Sequence, residues 1–122
     1  MRLMRAWLII FLAVVCLPAQ AHHTAQSARA DLATISVVAL PEQARDTLRI
    51  IKQGGPLVYP RDGVVFGNYE RVLPKRPRGY YHEYTVKTPG ARNRGARRII
   101  SGEPGEYYYS ADHYKTFKRI QE

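Results

Sequence analysis

The chain has 122 residues, with 19 Lys and Arg against 10 Asp and Glu, for a formal net charge of +9. This length excludes a multidomain assembly, and one cysteine, Cys16, excludes an internal disulfide framework. The cationic excess points to a polyanionic partner, whether nucleic acid, an anionic membrane or an acidic polysaccharide.

The chain opens on a targeting pattern. Arg2 and Arg5 give a basic start, residues 7–17 are an unbroken apolar run of 11, and Ala19-Gln20-Ala21 is an A-x-A cleavage site. Together these mark residues 1–21 as a secretory signal peptide. A membrane span needs about 20 apolar residues, so the run is too short for an anchor. Cys16 follows Val15 rather than the small residue that precedes a lipidated cysteine. Cleavage removes the only Cys, the only Trp and both Met residues. The mature protein is then secreted, extracellular or periplasmic, with no membrane attachment and no disulfide in an oxidising compartment. Its stability has to come from one small core and its hydrogen bonds. Two of the 19 cations leave with the signal, and 17 against 10 acids remain, a mature charge of +7.

Residues 22–35, from His22-His23-Thr24 onward, are polar and Ala-rich without a clear period and read as a flexible lead-in. The folded domain is expected over residues 36–122. From residue 41 to 53 the sequence reads as a helix. Pro41 suits a first helical position, Glu42 favours the dipole, and Gly54-Gly55 ends it. Leu40, Ala44, Leu48 and Ile51 recur at helical spacing, so the helix covers a core and carries no chemistry of its own.

Beyond Gly55, runs rich in Tyr, Val and Ile at 69–73, 80–86, 97–101, 107–110 and 114–117 alternate with Pro and Gly turns, the signature of strands in an antiparallel meander. The fold class is therefore α+β, with one N-terminal helix packed on one face of an antiparallel β-sheet and the other face free for a ligand. Alternation along 80–86 sends His82, Tyr84 and Val86 toward the helix and Tyr81, Glu83 and Thr85 to the open face. His82 thus reads as structural.

The charge is concentrated. Residues 71–98 hold nine cations and a single acid, Glu83. Alone, such a Glu is more often a structural ion pair, and such a run of cations a solvated face. In a strand, Arg94 and Arg98 share a face while Arg97 points away, and Asp112-His113-Tyr114 opens the final strand. A carboxylate, two guanidiniums and an imidazole are the set needed for acid–base work on a phosphodiester, although spacing alone leaves their convergence open. Four His and no Cys, two of those His in the lead-in, leave no structural zinc site in the mature chain.

Four motifs, in order, carry a resemblance. They are Asp62-Gly63-Val64-Val65-Phe66-Gly67-Asn68-Tyr69-Glu70, then Tyr80-Tyr81-His82-Glu83-Tyr84-Thr85-Val86, then the run from Pro89 through Arg92, Arg94, Arg97 and Arg98 to Ile100, and Asp112-His113-Tyr114. From about residue 39 to 117 the chain resembles the microbial guanyl-specific ribonucleases, the barnase and RNase Sa group, and is nearer to RNase Sa. The resemblance implies the microbial ribonuclease fold and cleavage of single-stranded RNA on the 3′ side of guanosine without metal or cofactor. It casts Glu83 as the general base on the ribose 2′-OH and His113 as the general acid on the leaving 5′ oxygen. Arg94, Arg98 and the Tyr114 hydroxyl would hold the phosphate. The guanine site would be Phe66, Gly67, Asn68, Tyr69 and Glu70. Phe66 would pack on the base, the backbone amides of residues 67–69 would reach O6 and N7, and Glu70 would accept from N1–H and N2–H₂. A monomer is expected, and a barstar-like protein inhibitor is the partner class the resemblance brings with it.

Three departures stand out. Tyr69 replaces a common Arg, Gly67 replaces a larger polar residue, and the terminal disulfide of the RNase Sa-like members is absent. Two alternatives belong to other classes: a catalytically silent cationic module for RNA or an envelope polymer, and the same nuclease serving as an interbacterial toxin. The pairing of Glu83 with His113 argues against a pure binder, which needs neither.

Overall fold

The computed structural model describes residues 32–122. The expected signal peptide, the His22-His23 pair and most of the lead-in therefore lie outside the described residues. Among the described residues, the chain runs β1 (Ala33–Ser36), a 3-10 turn (Val37–Ala39), α1 (Glu42–Gln53), β2 (His82–Thr85), β3 (Arg98–Ser101), β4 (Tyr107–Ser110) and β5 (Lys118–Gln121). The strands form one sheet in the order β1-β5-β4-β3-β2.

Helix α1 forms where the pattern places it. Pro41 stands just outside and its carbonyl accepts from the amides of Ala44 and Arg45. Gly54 ends the helix at φ 79°, with its amide bonded to the carbonyls of Ile50 and Ile51, a left-handed cap that glycine adopts without steric cost. The buried stripe Ala44 and Leu48 packs with Leu40, Val86, Ile99, Tyr107, Tyr109 and Ile120 on one face of the sheet. Each such aliphatic side chain contributes about 1.5–3 kcal/mol on burial.

Strand alternation holds through the sheet's centre. Val86 and Ile99 face the helix, while Tyr81, Ile100 and Tyr108 join Leu73 and Phe117 on the other side. That second cluster corrects the expectation of a free face. Loop and turn residues cover much of it, and Glu83 is only 7% exposed. His82 is structural, its ring nitrogens 3.0 and 3.1 Å from the carbonyl oxygens of Gly63 and Gly79.

Three further expectations change. The α+β architecture stands, but the sheet is mixed. β1 pairs with β5 in parallel, Ala33 opposite Lys118 through Ser36 opposite Gln121, so the lead-in expected to residue 35 gives way to a strand at Ala33. Residues 69–73 are not a strand. Asn68 and Arg71 take φ of 52° and 56°, and the Arg71 amide closes a turn on the Asn68 carbonyl at 3.0 Å. The strand expected at 114–117 lies one step later, at Lys118–Gln121, because His113 and Tyr114 both adopt positive φ, 55° and 71°. Two consecutive left-handed residues cannot continue a strand.

Candidate active site

Glu83 projects from the middle of β2 on the face opposite α1. Its Oε2 accepts from the Tyr114 hydroxyl at 2.9 Å. Its Oε1 stands 3.6 Å from Nη2 of Arg94 and 3.9 Å from Nε of Arg61. Arg98, 2% exposed, donates from Nε to the Tyr114 hydroxyl at 3.1 Å and from Nη1 to the carbonyls of Gly95 and Arg97 at 2.9 and 2.7 Å. Backbone carbonyls thus help to hold this buried guanidinium in place.

The two arginines converge, but not because they share a strand. β3 begins at Arg98, and Arg94 lies in the loop before it. Thr85 aims Arg94, its Oγ1 accepting from Nε and Nη2 at 3.1 and 2.8 Å. Arg97 acts on the other side, where its charge bears on the helix-side Tyr109.

A turn, not a strand, presents His113 and Tyr114. The Asp112 carboxylate organises it by accepting from the Thr116 amide at 2.9 Å, the Thr116 hydroxyl at 2.6 Å and the Ser110 hydroxyl at 3.0 Å. The Tyr114 amide bonds to Ser110 Oγ at 3.0 Å, and the His113 amide to the Ala96 carbonyl at 3.0 Å. The Thr116 hydroxyl and amide hold the Asp112 carboxyl below its ordinary range. His113 is exposed, with its ring centroid 4.7 Å from that of Tyr114. Tyr114 thus touches the carboxylate with its hydroxyl and the imidazole with its ring. Burial, then the bond to Glu83, push the Tyr114 hydroxyl above its ordinary range, against the opposing pull of Arg98. It stays protonated and able to donate.

Beside this cluster runs a groove of about 420 Å³ lined by Phe66, Asn68, Tyr69, Glu70, Glu83 and Tyr114, among others. All five residues expected at the base site line it, whereas Arg94, Arg98 and His113 do not. The Phe66 ring packs against Tyr114 and Phe117 at centroid separations of 5.1 and 6.0 Å. Asn68 folds the loop through its side chain, donating to the Leu73 carbonyl at 2.9 Å and accepting from the Leu73 amide at 3.1 Å. Asparagine tolerates the left-handed conformation this requires. Among the described residues, the amides of Gly67, Asn68 and Tyr69 have no acceptor and the Glu70 carboxylate has no partner. The motifs did not single out Arg61, Thr85, Asn68 in this supporting role, or Asp112 as a turn organiser. Only the Asp and Asn, both frequent turn formers, carried a local signal.

The sequence and the fold have known counterparts. A family model described as ribonuclease matches residues 21–121. The chain is 58% identical over 90 residues to guanyl-specific ribonuclease Sa of Kitasatospora aureofaciens, covering 73% of this chain and 94% of that one. It is 56% identical over 79 residues to guanyl-specific ribonuclease St of Saccharopolyspora erythraea, covering 65% and 78%. Among solved structures, ribonuclease Sa2 in complexes with mononucleotides superposes with a TM-score of 0.73 at 54% identity, covering 75% of this chain and 95% of that one. Another Sa2 structure, holding guanosine-2′-cyclophosphate, gives 0.71 at 54% identity, with coverage of 74% and 96%. The chain belongs to the guanyl-specific ribonuclease family of the Sa type.

Proposed function

We propose that the protein is a secreted endoribonuclease that cleaves single-stranded RNA 3′ of guanosine, first to a 2′,3′-cyclic phosphate and then by hydrolysis. One observation carries this reading: the half-buried Tyr114 contacts a buried carboxylate through its hydroxyl and an exposed imidazole through its ring, beside a groove lined by a free carboxylate. In the first step Glu83 takes the proton of the ribose 2′-OH, the resulting oxygen attacks the phosphorus, and His113 protonates the departing 5′ oxygen. The roles reverse for hydrolysis of the cyclic ester. Arg94, Arg98 and the Tyr114 hydroxyl stabilise the charge that builds on the phosphoryl oxygens. The nucleophile belongs to the substrate, so DNA is inert and no metal-activated water is needed.

The guanine is read by Glu70, which accepts from N1–H and N2–H₂, and by the three unpartnered amides of residues 67–69, which donate to O6 and N7. The related Sa2 structures hold a guanosine cyclophosphate and 3′-GMP, which supports a guanine nucleotide as the ligand. The A-x-A site after residue 21 supports export, and a mature monomer is proposed, open to a barstar-like inhibitor at the same basic face. Digestion of a defined oligoribonucleotide, with ends mapped at nucleotide resolution, tests the reading. Cuts are expected after G, bearing cyclic phosphate at early times and surviving EDTA. Cuts spread over all bases, or activity lost on chelation and restored by a divalent ion, would remove it.

A further inference from the structure

The proposed base site uses the backbone amides of Gly67 and Tyr69 but gives no task to the missing side chain at Gly67 or to the ring of Tyr69, both in the groove. Tyr69 is 81% exposed, yet its ring has a fixed seat. The hydroxyl accepts from Nη1 of Arg78 at 2.9 Å, and the ring rests against Gly67 so closely that a Cβ there would stand 2.5 Å from both Cε2 and Cζ. Both residues, and Arg78, line the groove. Phe66 lines it too, but its ring is committed to Tyr114 and Phe117. The groove therefore has one packed aromatic wall and, at its mouth, a second ring tethered through its hydroxyl but otherwise in solvent.

We propose that Tyr69 is an affinity-determining residue whose ring stacks on the purine held by Glu70, and that Gly67 is the residue that leaves room for it. The inference rests on the base-site reading above. An exposed phenol offers a large flat face at little cost in side-chain freedom, and its tether to Arg78 restricts that freedom further. A ring in this place gains most from a flat apolar ligand. Any base offers a π-face, so the stack adds affinity without choosing among bases, and the choice stays with Glu70 and the amides of residues 67–69. Gly67 and Tyr69, two of the three departures seen in the sequence, become one paired change, since a side chain at residue 67 would displace the ring.

The test is calorimetric binding of 3′-GMP and 3′-AMP to the full mature chain and to variants whose folding is checked by thermal melting. Tyr69→Ala should weaken both nucleotides about 5- to 100-fold, the range of one base–aromatic stack, and raise KM for guanylyl dinucleotides accordingly. Tyr69→Phe should recover most of that affinity, because it keeps the ring and loses only the bond to Arg78. Gly67→Ala should shift Kd in the same direction as Tyr69→Ala, since the ring is an exposed flexible group that yields before the backbone does. A folded Tyr69→Ala within twofold of wild type overturns the proposal. So does a Tyr69→Phe as weak as Tyr69→Ala, or a loss seen only with dinucleotides, which would place the ring on a flanking base. Glu70→Ala, run in parallel, separates the two readings. If it leaves the preference for 3′-GMP over 3′-AMP undiminished, the base-site reading falls. If it reduces that preference while Tyr69→Ala is silent, only the stacking inference falls.

Discussion

The floor of the site and its rim are built on different principles. Glu83, Thr85 and Arg98 belong to adjacent paired strands and are 7%, 3% and 2% exposed. Their positions are tied to the core of Ile99, Ile100 and Tyr108, and the chemistry proposed for Glu83 and Arg98 needs an invariant distance between base and phosphate. The rim, residues 66–70, is a loop held by Asn68 and a single turn, and it ends in exposed Tyr69 and Glu70. Loops change side chains at little cost to the fold. Two of the three departures from the family pattern accordingly fall on the rim, at Gly67 and Tyr69, and none falls on the floor. Turnover and selectivity should then be separable by mutation.

The sharpest break of that comparison comes from the floor. Glu83→Gln and His113→Ala should each lower turnover of a guanylyl dinucleotide by about 10²–10⁴, the usual weight of one acid–base group, with the preference for G over A retained. Glu83→Gln also keeps a hydrogen-bonding group beside the Tyr114 hydroxyl, so the melting temperature should change little. Near-wild-type turnover by a folded Glu83→Gln protein would place the general base elsewhere.

A smaller effect is expected at the rim. Glu70→Ala should cost guanylyl substrates about 1–3 kcal/mol of transition-state binding, the worth of a bidentate base contact, and leave the weak rate on adenylyl substrates nearly unchanged. Adenine presents an acceptor at N1 and nothing at position 2, so it gains nothing from the carboxylate. Equal losses on both substrates would make Glu70 structural and erase the contrast between floor and rim.

How much of this was legible follows the same division. Helix α1 and strand β2 were readable because each has a period, 3.6 or 2, that buries one face, and strands β3 and β4 because their runs of Tyr and Ile stand between turns, although nearly all their residues are buried. The register sending Glu83 away from Val86 followed from alternation alone. Strand β1 was hidden, since Ala33, Thr34 and Ser36 are exposed and its pairing with β5 is parallel and long-range. Residues 69–73 and 114–117 misled because Tyr, Val, Leu and Phe favour strands, whereas the backbone is decided by left-handed residues at Asn68, Arg71, His113 and Tyr114. The catalytic roles came through motif resemblance. The contacts that aim the groups, Thr85 on Arg94 and Tyr69 on Gly67, exist only in the fold.

Away from both regions, Glu106 measures what the sheet itself needs. It is 4% exposed, and its carboxylate accepts from the hydroxyls of Tyr108 and Tyr80 at 2.5 Å each. Burial pushes its carboxyl upward, but the two hydroxyls, the Glu103 backbone and Arg119 outweigh it and hold it below the ordinary 4.5. A carboxyl depressed in the folded state stabilises fully above its unfolded value, and that contribution is lost as pH falls through the folded one. Glu106→Gln should cost about 1–3 kcal/mol near neutrality, the penalty for disturbing a buried charged hydrogen bond. In urea unfolding the gap to wild type should narrow on acidification below about 4.5. A gap that held constant or widened in acid would mean that the carboxylate form contributes nothing.

The smallest effect should come from Asp112, which decides to which region the His113 turn belongs. The turn is a loop like the rim, but it is anchored to the floor through Ser110 at the end of β4 and through the Ala96 carbonyl. If the anchoring governs, Asp112→Ala should loosen the two left-handed residues that follow and misplace the imidazole. Turnover should fall several-fold, while affinity for 3′-GMP and the choice of G over A stay put. The stability loss should be about 1 kcal/mol, the net worth of an ordinary hydrogen bond, because the group is only partly buried. Its carboxyl is depressed by the Thr116 hydroxyl and amide, so this contribution too is present above the unfolded value and vanishes in acid. Asp112→Asn, which can still accept from the Thr116 amide, should recover most of the turnover. A variant that loses guanine selectivity instead of turnover would join the turn to the rim, and the division between floor and rim would have to be redrawn along the backbone rather than by burial.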